Sequence, residues 1–131
     1  MKLLRDVAVR HLLTVDPQGS LRRAAQMMTD RGVGCAVVID KEKVAGIITE
    51  RDILLAVAHE KNVDTTKVED VMTKGVVSGA PGWEITRAVK AMTDGGFRHL
   101  LVTEMDDPVG IVSLRDLMDS MAELVQSQTS A

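Results

Sequence analysis

The spacing of hydrophobic positions changes period several times along the chain, and each change marks an element. Leu12, Leu13 and Val15 form a short apolar segment that Pro17 stops. Ser20 supplies an N-cap, after which Leu21, Ala24, Ala25 and Met28 fall at i, i+3, i+4 and i+7. That stripe predicts one helix, ended at Gly32. Cys35 to Ile39 is a continuous apolar run, which predicts a strand buried on both faces. Asp40-Lys41-Glu42-Lys43 reads as a polar turn, Val44 to Ile48 as the returning strand, and Thr49 opens a second helix to about Ala58. The order then recurs: strand at Val76-Val77, helix 84–94, strand 99–103, turn 104–107, strand 108–112, and a helix from Ser113 to about Val125. Residues 60–70 read as a linker, and 126–131 as a loose tail.

The recurrence is in the residues as well as in the pattern. GIITERD at 46–52 returns as GIVSLRD at 110–116, and RRAAQMMTDRG at 22–32 as TRAVKAMTDGG at 86–96. Residues 5–54 laid on 69–118 without a gap give 14 identities, among them Asp6/Asp70, Pro17/Pro81, Gly32/Gly96, Gly46/Gly110 and Asp52/Asp116. The predicted fold class is therefore α/β, of the α+β type, built from two tandem β-α-β-β-α repeats about a pseudo-two-fold axis. A half of roughly 60 residues is marginal on its own, so the copies are expected to share a core. A site made by one copy has a sister in the other.

Composition narrows the function. A net charge of −3 gives no electrostatic footprint for nucleic acid or an anionic membrane, and with Phe97 and Trp83 as the only aromatic residues there is no base-stacking platform. No apolar run reaches the ~18 residues of a membrane span. MKLLRDVAVRH is interrupted by charge too early for a secretory segment, and a single cysteine, Cys35, suits a reducing compartment. The expectation is a cytoplasmic protein. His11, His59 and His99 lie far apart with no metal-ligand spacing, so no metal is expected. Cys35, inside an apolar strand, reads as packing, and no nucleophile motif is present. Met27, Met28, Met92, Met105, Met118 and Met121 read as core and interface packing. No catalytic residues are assigned and no enzyme activity is expected.

Thr49-x-x-Asp52 and Ser113-x-x-Asp116 each fall where a strand turns into a helix. Free backbone N–H groups and the helix dipole favour an anion there. A hydroxyl can donate to phosphate while a carboxylate accepts from a ribose diol. Ser/Thr-x-x-acid is equally close to a capping box, which needs no ligand, and one residue can serve both purposes.

On VEDVMT at 68–73, the Pro-initiated helices, GFRHLLV at 96–102 and the two Gly-Ile-x-(Thr/Ser)-x-Arg-Asp segments, the chain resembles a cystathionine β-synthase (CBS) domain pair, or Bateman module, over about residues 4–124. The resemblance implies one repeat over 1–62, a second over 63–125, a tail at 126–131, and no room in this sequence for a separate catalytic domain. It implies a stand-alone regulatory module that binds an adenosine-containing nucleotide in the cleft between the copies and senses energy or metabolite status. The ligand would be AMP, ADP or ATP, with S-adenosylmethionine or NAD as further candidates, and no cofactor is required. Thr49, Asp52, Ser113 and Asp116 would hold the ribose and phosphate. Arg98 and His99, whose counterparts are Gly34 and Cys35, would reach phosphates, their alternative being a solvated strand end. Val77, with Val76 and Ser78, and Leu13 with Leu12 and Thr14 would line the adenine slots; otherwise they are core strand. Arg51 and Arg115 read as solvent-facing, their alternative being a contact to phosphate. The family's pairing into a disc implies a homodimer through the second helices, including Ile53, Leu54, Val57, Leu117, Met118 and Met121. An effector protein is implied but not identified. The alternative is an interaction subunit with empty pockets.

Overall fold

The computed structural model of the chain describes residues 2–8 and 11–129, leaving out the side chains of Leu124 and of residues 127–129. In chain order its elements are α1 (Leu4–Val7), β1 (Thr14–Val15), α2 (Leu21–Arg31), β2 (Cys35–Asp40), β3 (Lys43–Thr49), α3 (Glu50–Ala58), α4 (Val68–Val71), β4 (Ser78–Gly79), α5 (Ile85–Gly95), β5 (His99–Glu104), β6 (Asp107–Ser113) and α6 (Leu114–Thr129). The fold is mixed α+β, with two three-stranded sheets ordered β1-β2-β3 and β4-β5-β6. From α1 to the start of α3, every element recurs 64 residues later.

Local chemistry sets the element ends. Ser20 caps α2 by accepting from Arg23 N (3.1 Å), and Gly32 and Gly96 end α2 and α5 in the left-handed region at φ 65° and 71°. The stripes Leu21/Ala24/Met28 and Ile85/Ala88/Met92 are buried against their sheets. In each sheet the first pair is parallel (Thr14↔Val37, Ser78↔Leu101) and the second antiparallel. The antiparallel hairpins close through two residues, Lys41-Glu42 and Met105-Asp106, all four with φ between 50° and 68°. These loops are shorter than the four-residue turns the sequence suggests, because positive φ at both central positions lets the strands pair up to Asp40↔Lys43 and Glu104↔Asp107.

Three further expectations shift. The second copy's first strand lies at Ser78–Gly79, not at Val76-Val77. Gly79 occupies the register position of the buried Val15, and a Cβ there would meet the Trp83 ring at 2.9 Å, so the indole fills the space a strand side chain would take. The last helix runs to Thr129, so residues 126–129 are helical where a tail is expected, while 130–131 lie outside the described residues. The expected linker at 60–70 runs into α4, which ends at Val71, and α1 is the counterpart of that helix.

These single-turn helices set how the chain is divided. It forms two compact units, Leu12–Val76 on one side and Met1–His11 with Val77–Ala131 on the other. In the first unit Val68 N donates to Gly19 O (2.9 Å), Glu69 N to Pro17 O (3.0 Å) and Leu21 N to Thr66 O (3.0 Å). In the second, Leu4 N donates to Trp83 O (2.9 Å), Arg5 N to Pro81 O (3.0 Å) and Ile85 N to Lys2 O (3.3 Å). Each bond in one unit is thus the other's equivalent, and each leading turn packs with the body of the opposite copy. Val68 belongs to the core of Leu13, Leu21, Val38, Ile48 and Ala56, and Leu4 to that of Ile85, Leu100, Val112 and Leu117. The compact units therefore partition the chain differently from repeats drawn at 62/63, and each unit has a core of its own.

Candidate functional site: two strand–helix junctions

In the first unit β3 delivers Thr49 in extended conformation (φ −116°, ψ 162°) and α3 begins at once. Thr49 N donates to Asp52 Oδ2 (2.9 Å) and Asp52 N donates back to Thr49 Oγ1 (3.2 Å), a reciprocal capping box. The first helical amide, Glu50 N, donates to Gly34 O at the start of β2 (3.0 Å), which ties the helix start to the sheet. The second unit repeats this. Ser113 N donates to Asp116 Oδ2 (3.2 Å), Asp116 N to Ser113 Oγ (3.1 Å), and Leu114 N to Arg98 O (2.8 Å). Both aspartates are half-buried. The capping role is therefore present in both copies. It leaves carboxylate acceptor capacity over, because an ionised carboxylate offers about four lone-pair positions.

The junctions differ in three places. Thr73, which follows α4, pairs with Ile47 through both backbone bonds (2.8 and 3.0 Å) and donates its hydroxyl to Asp52, 3.2 Å from each oxygen. Gly46 permits this approach: a Cβ there would lie 2.6 Å from Thr73 O. Glu50 folds its carboxylate over Gly34, to within 3.1 Å of where a Cβ would stand. The same two positions in the second copy hold Leu114 and an exposed Arg98. Opposite Thr49 in the ladder is Cys35; opposite Ser113 is the half-buried His99. Burial, with the Asp52 carboxylate as a lesser cause, pushes the Cys35 thiol up to about 12, so it stays protonated and unreactive.

The remaining sequence-derived residues are spread along the first strands. Leu13 is buried in its core and its carbonyl accepts from Val37 N (2.8 Å), so it offers main chain and little side chain to a ligand. Thr14 is exposed on β1. Val77, 42% exposed, lies just before β4, and its carbonyl accepts from Leu101 N (3.2 Å). Arg51 and Arg115 are exposed, as the sequence suggests. Among the helix residues assigned to an interface, Leu117 is fully buried in its own core and Ile53 and Met121 are partly buried, whereas Leu54, Val57 and Met118 are more than half exposed. A groove of about 360 Å³ runs between α2 and α3, lined by Ala25, Gln26, Thr29, Ile53, Val57 and Val63 among others, with no junction residue in its wall.

Sequence reasoning missed Thr73 and Glu50. Thr73 closes the quoted VEDVMT segment, but its repeat counterpart is Val9, so duplication gives no hint of it. Glu50 pairs in the repeat with Leu114, a departure between the copies of the same kind as Arg98 against Gly34, and that departure is its signal in the sequence. Among the described residues no cluster of three potential metal ligands occurs, and no helix is long and apolar enough to cross a membrane.

The profile of the CBS domain matches residues 4–59 and again residues 68–123. An uncharacterized 17.7 kDa protein of Acidianus ambivalens is 38% identical over 121 residues, 91% of this chain and 73% of that protein. The crystal structure of a CBS-domain containing protein from Agrobacterium tumefaciens superposes with a TM-score of 0.85 at 32% identity, covering 91% of this chain and 92% of the other. The CBS domain pair of protein MJ0100, solved with 5′-methylthioadenosine and S-adenosyl-L-methionine, gives 0.86 at 22% identity over 94% and 98% of the two chains, a likeness of fold.

Proposed function

The chain belongs to the CBS domain family, as a tandem pair, and from that premise we propose that it is a regulatory module binding an adenosine-containing nucleotide, of the AMP, ADP or ATP class, at a strand–helix junction of the repeat. The observation that carries this reading is the duplicated hydroxyl–carboxylate pair, held in the same geometry at Thr49/Asp52 and Ser113/Asp116 with acceptor capacity to spare. The carboxylates take the ribose diol, the helix starts and Arg98 and His99 take the phosphates, and Val77 and Thr14, with the main chain at Leu13, contact the base. Support comes from MJ0100, of the same fold, which holds two adenosine derivatives.

The module acts by differential affinity: the ligand stabilises one of two states, and an effector protein reads the outcome. Catalysis is not part of the reading, since it assigns neither nucleophile nor base. A homodimer fits the exposed Leu54 and Val57 on α3 and Met118 on α6, since surface positions this apolar are commonly covered by a partner. The proposed location is the cytoplasm.

A thermal-shift panel of AMP, ADP, ATP, NAD and S-adenosylmethionine tests the reading on wild type and on the double variant Asp52→Ala/Asp116→Ala. At about one hundred times the dissociation constant, a bound ligand raises the melting temperature by roughly 4 °C or more. That shift is expected in wild type and absent from the double variant. A folded wild type that responds to none of the five would leave the aspartates as caps. The exposed apolar helix residues would then favour the alternative, an interaction subunit with empty pockets.

A further inference from the structure

We propose that the two junctions are functionally unequal, with a phosphorylated adenosine ligand held by the second copy, its ribose on Asp116 and its phosphate on Arg98. This rests on the adenosine reading and assigns the junction that such a ligand occupies. Two independent observations carry it, one of charge and one of hydrogen bonding.

At the first junction Glu50 and Asp52 stand against Arg51, a net −1, and the Glu50 carboxylate lies over Gly34 where the strand begins. At the second, Asp116 stands against Arg98 and Arg115, a net +1, because leucine replaces Glu50 and arginine replaces Gly34. A phosphate brought to the first junction meets the Glu50 carboxylate over Gly34, the repeat position at which the second copy carries Arg98. The guanidinium is permanently charged, planar and able to bind two phosphate oxygens. Arg98 is exposed and in no salt bridge among the described residues, so binding phosphate breaks no ion pair. Its backbone is fixed by the bond from Leu114 N, which places it beside the start of α6.

The carboxylates differ in the same sense. Asp52 accepts from Thr49 N and, at both oxygens, from the Thr73 hydroxyl. A ribose diol has to displace or share that hydroxyl. The box around Asp116 uses Oδ2, and the repeat position matching Thr73 is Val9, which carries no hydroxyl. Among the described residues Asp116 therefore has more acceptor capacity for a diol, on the junction that also has the cation.

Isothermal titration with AMP and with adenosine tests this on the full chain and on Asp52→Asn, Asp116→Asn and Arg98→Ala. Asparagine keeps a side-chain oxygen for the helix cap, and circular dichroism melting confirms that each variant is folded. AMP is expected to bind once per chain, and to lose at least tenfold more affinity in Asp116→Asn than in Asp52→Asn. Arg98→Ala is expected to weaken AMP tenfold or more and adenosine less than threefold, with Arg98→Lys restoring part of the AMP affinity. Two equal AMP sites per chain, equal losses in the two asparagine variants, or equal losses of AMP and adenosine in Arg98→Ala would overturn the inequality and leave the adenosine reading standing. A folded wild type that binds neither probe would overturn both.

Discussion

Asp52 and Asp116 occupy one position of a repeated motif and hold different company, and the difference is decided by side chains that the motif does not contain. The Thr/Ser-x-x-Asp spacing was legible because a capping box is local: four consecutive residues supply both bonds. Thr73 was not legible, since it reaches Asp52 from 21 positions along the chain. Cys35 illustrates the same point with a measurable outcome. Its burial inside β2 could be read from the apolar run, but the carboxylate that adds to the shift comes from α3. The folded-state pKa is raised above the unfolded value of 9.0, so the thiol's contribution to stability is intact below pH 9 and is lost as pH rises towards 12. The slope approaches ~1.4 kcal/mol per pH unit in that window. Urea midpoints measured at pH 8 and 10.5 are expected to fall more steeply for wild type than for Cys35→Ala. The chain has no tyrosine to titrate in the same range. Parallel slopes would mean that Cys35 ionises freely in the folded protein.

At the scale of elements the two copies match, position for position, from α1 to the start of α3, and the hairpins show how little that regularity depends on residue identity. Lys41-Glu42 and Met105-Asp106 share no residue, yet all four adopt positive φ. The backbone geometry required by a two-residue connection overrides side-chain preference there, at a cost that glycine would avoid. Asp106→Gly and Glu42→Gly are each expected to stabilise the protein by about 0.5–1 kcal/mol, read as a higher urea midpoint at unchanged m. A lower midpoint would mean that these side chains make contacts worth more than the backbone relief. Helices and long strands could be read from their periodicity. The two-residue strand β4 could not, because its buried member is a glycine whose space Trp83 fills from the following loop. A pattern of apolar residues cannot show a packing position that another element occupies.

For the molecule as a whole, the repeat was visible in the sequence and the exchange of leading turns was not. α1 and α4 carry related sequences, and each suits either docking loop, Pro17–Gly19 or Pro81–Trp83, so nothing in the residues marks which is used. The exchange alters what a fragment must contain. Residues 12–76 hold a complete core including Val68, 1% exposed, whereas residues 1–62 lack α4 and carry an α1 whose partners are absent. Expressed separately, 12–76 is expected to show a cooperative thermal transition by circular dichroism and 1–62 to show none. Equal cooperativity in both would mean that the leading turn contributes little to either core.

The same exchange has a consequence during synthesis. Leu4 emerges from the ribosome ahead of residues 12–76, but the carbonyl that receives its amide belongs to Trp83, 79 residues later. At ~5–20 residues per second that is a wait of roughly 4–16 s with a fully apolar side chain still unburied. Over the same interval residues 12–76, which form a compact unit, become available to fold. Made before that unit, α1 is therefore among the last segments to find its place, so a chain that stalls between the two copies leaves a finished unit preceded by an adhesive turn.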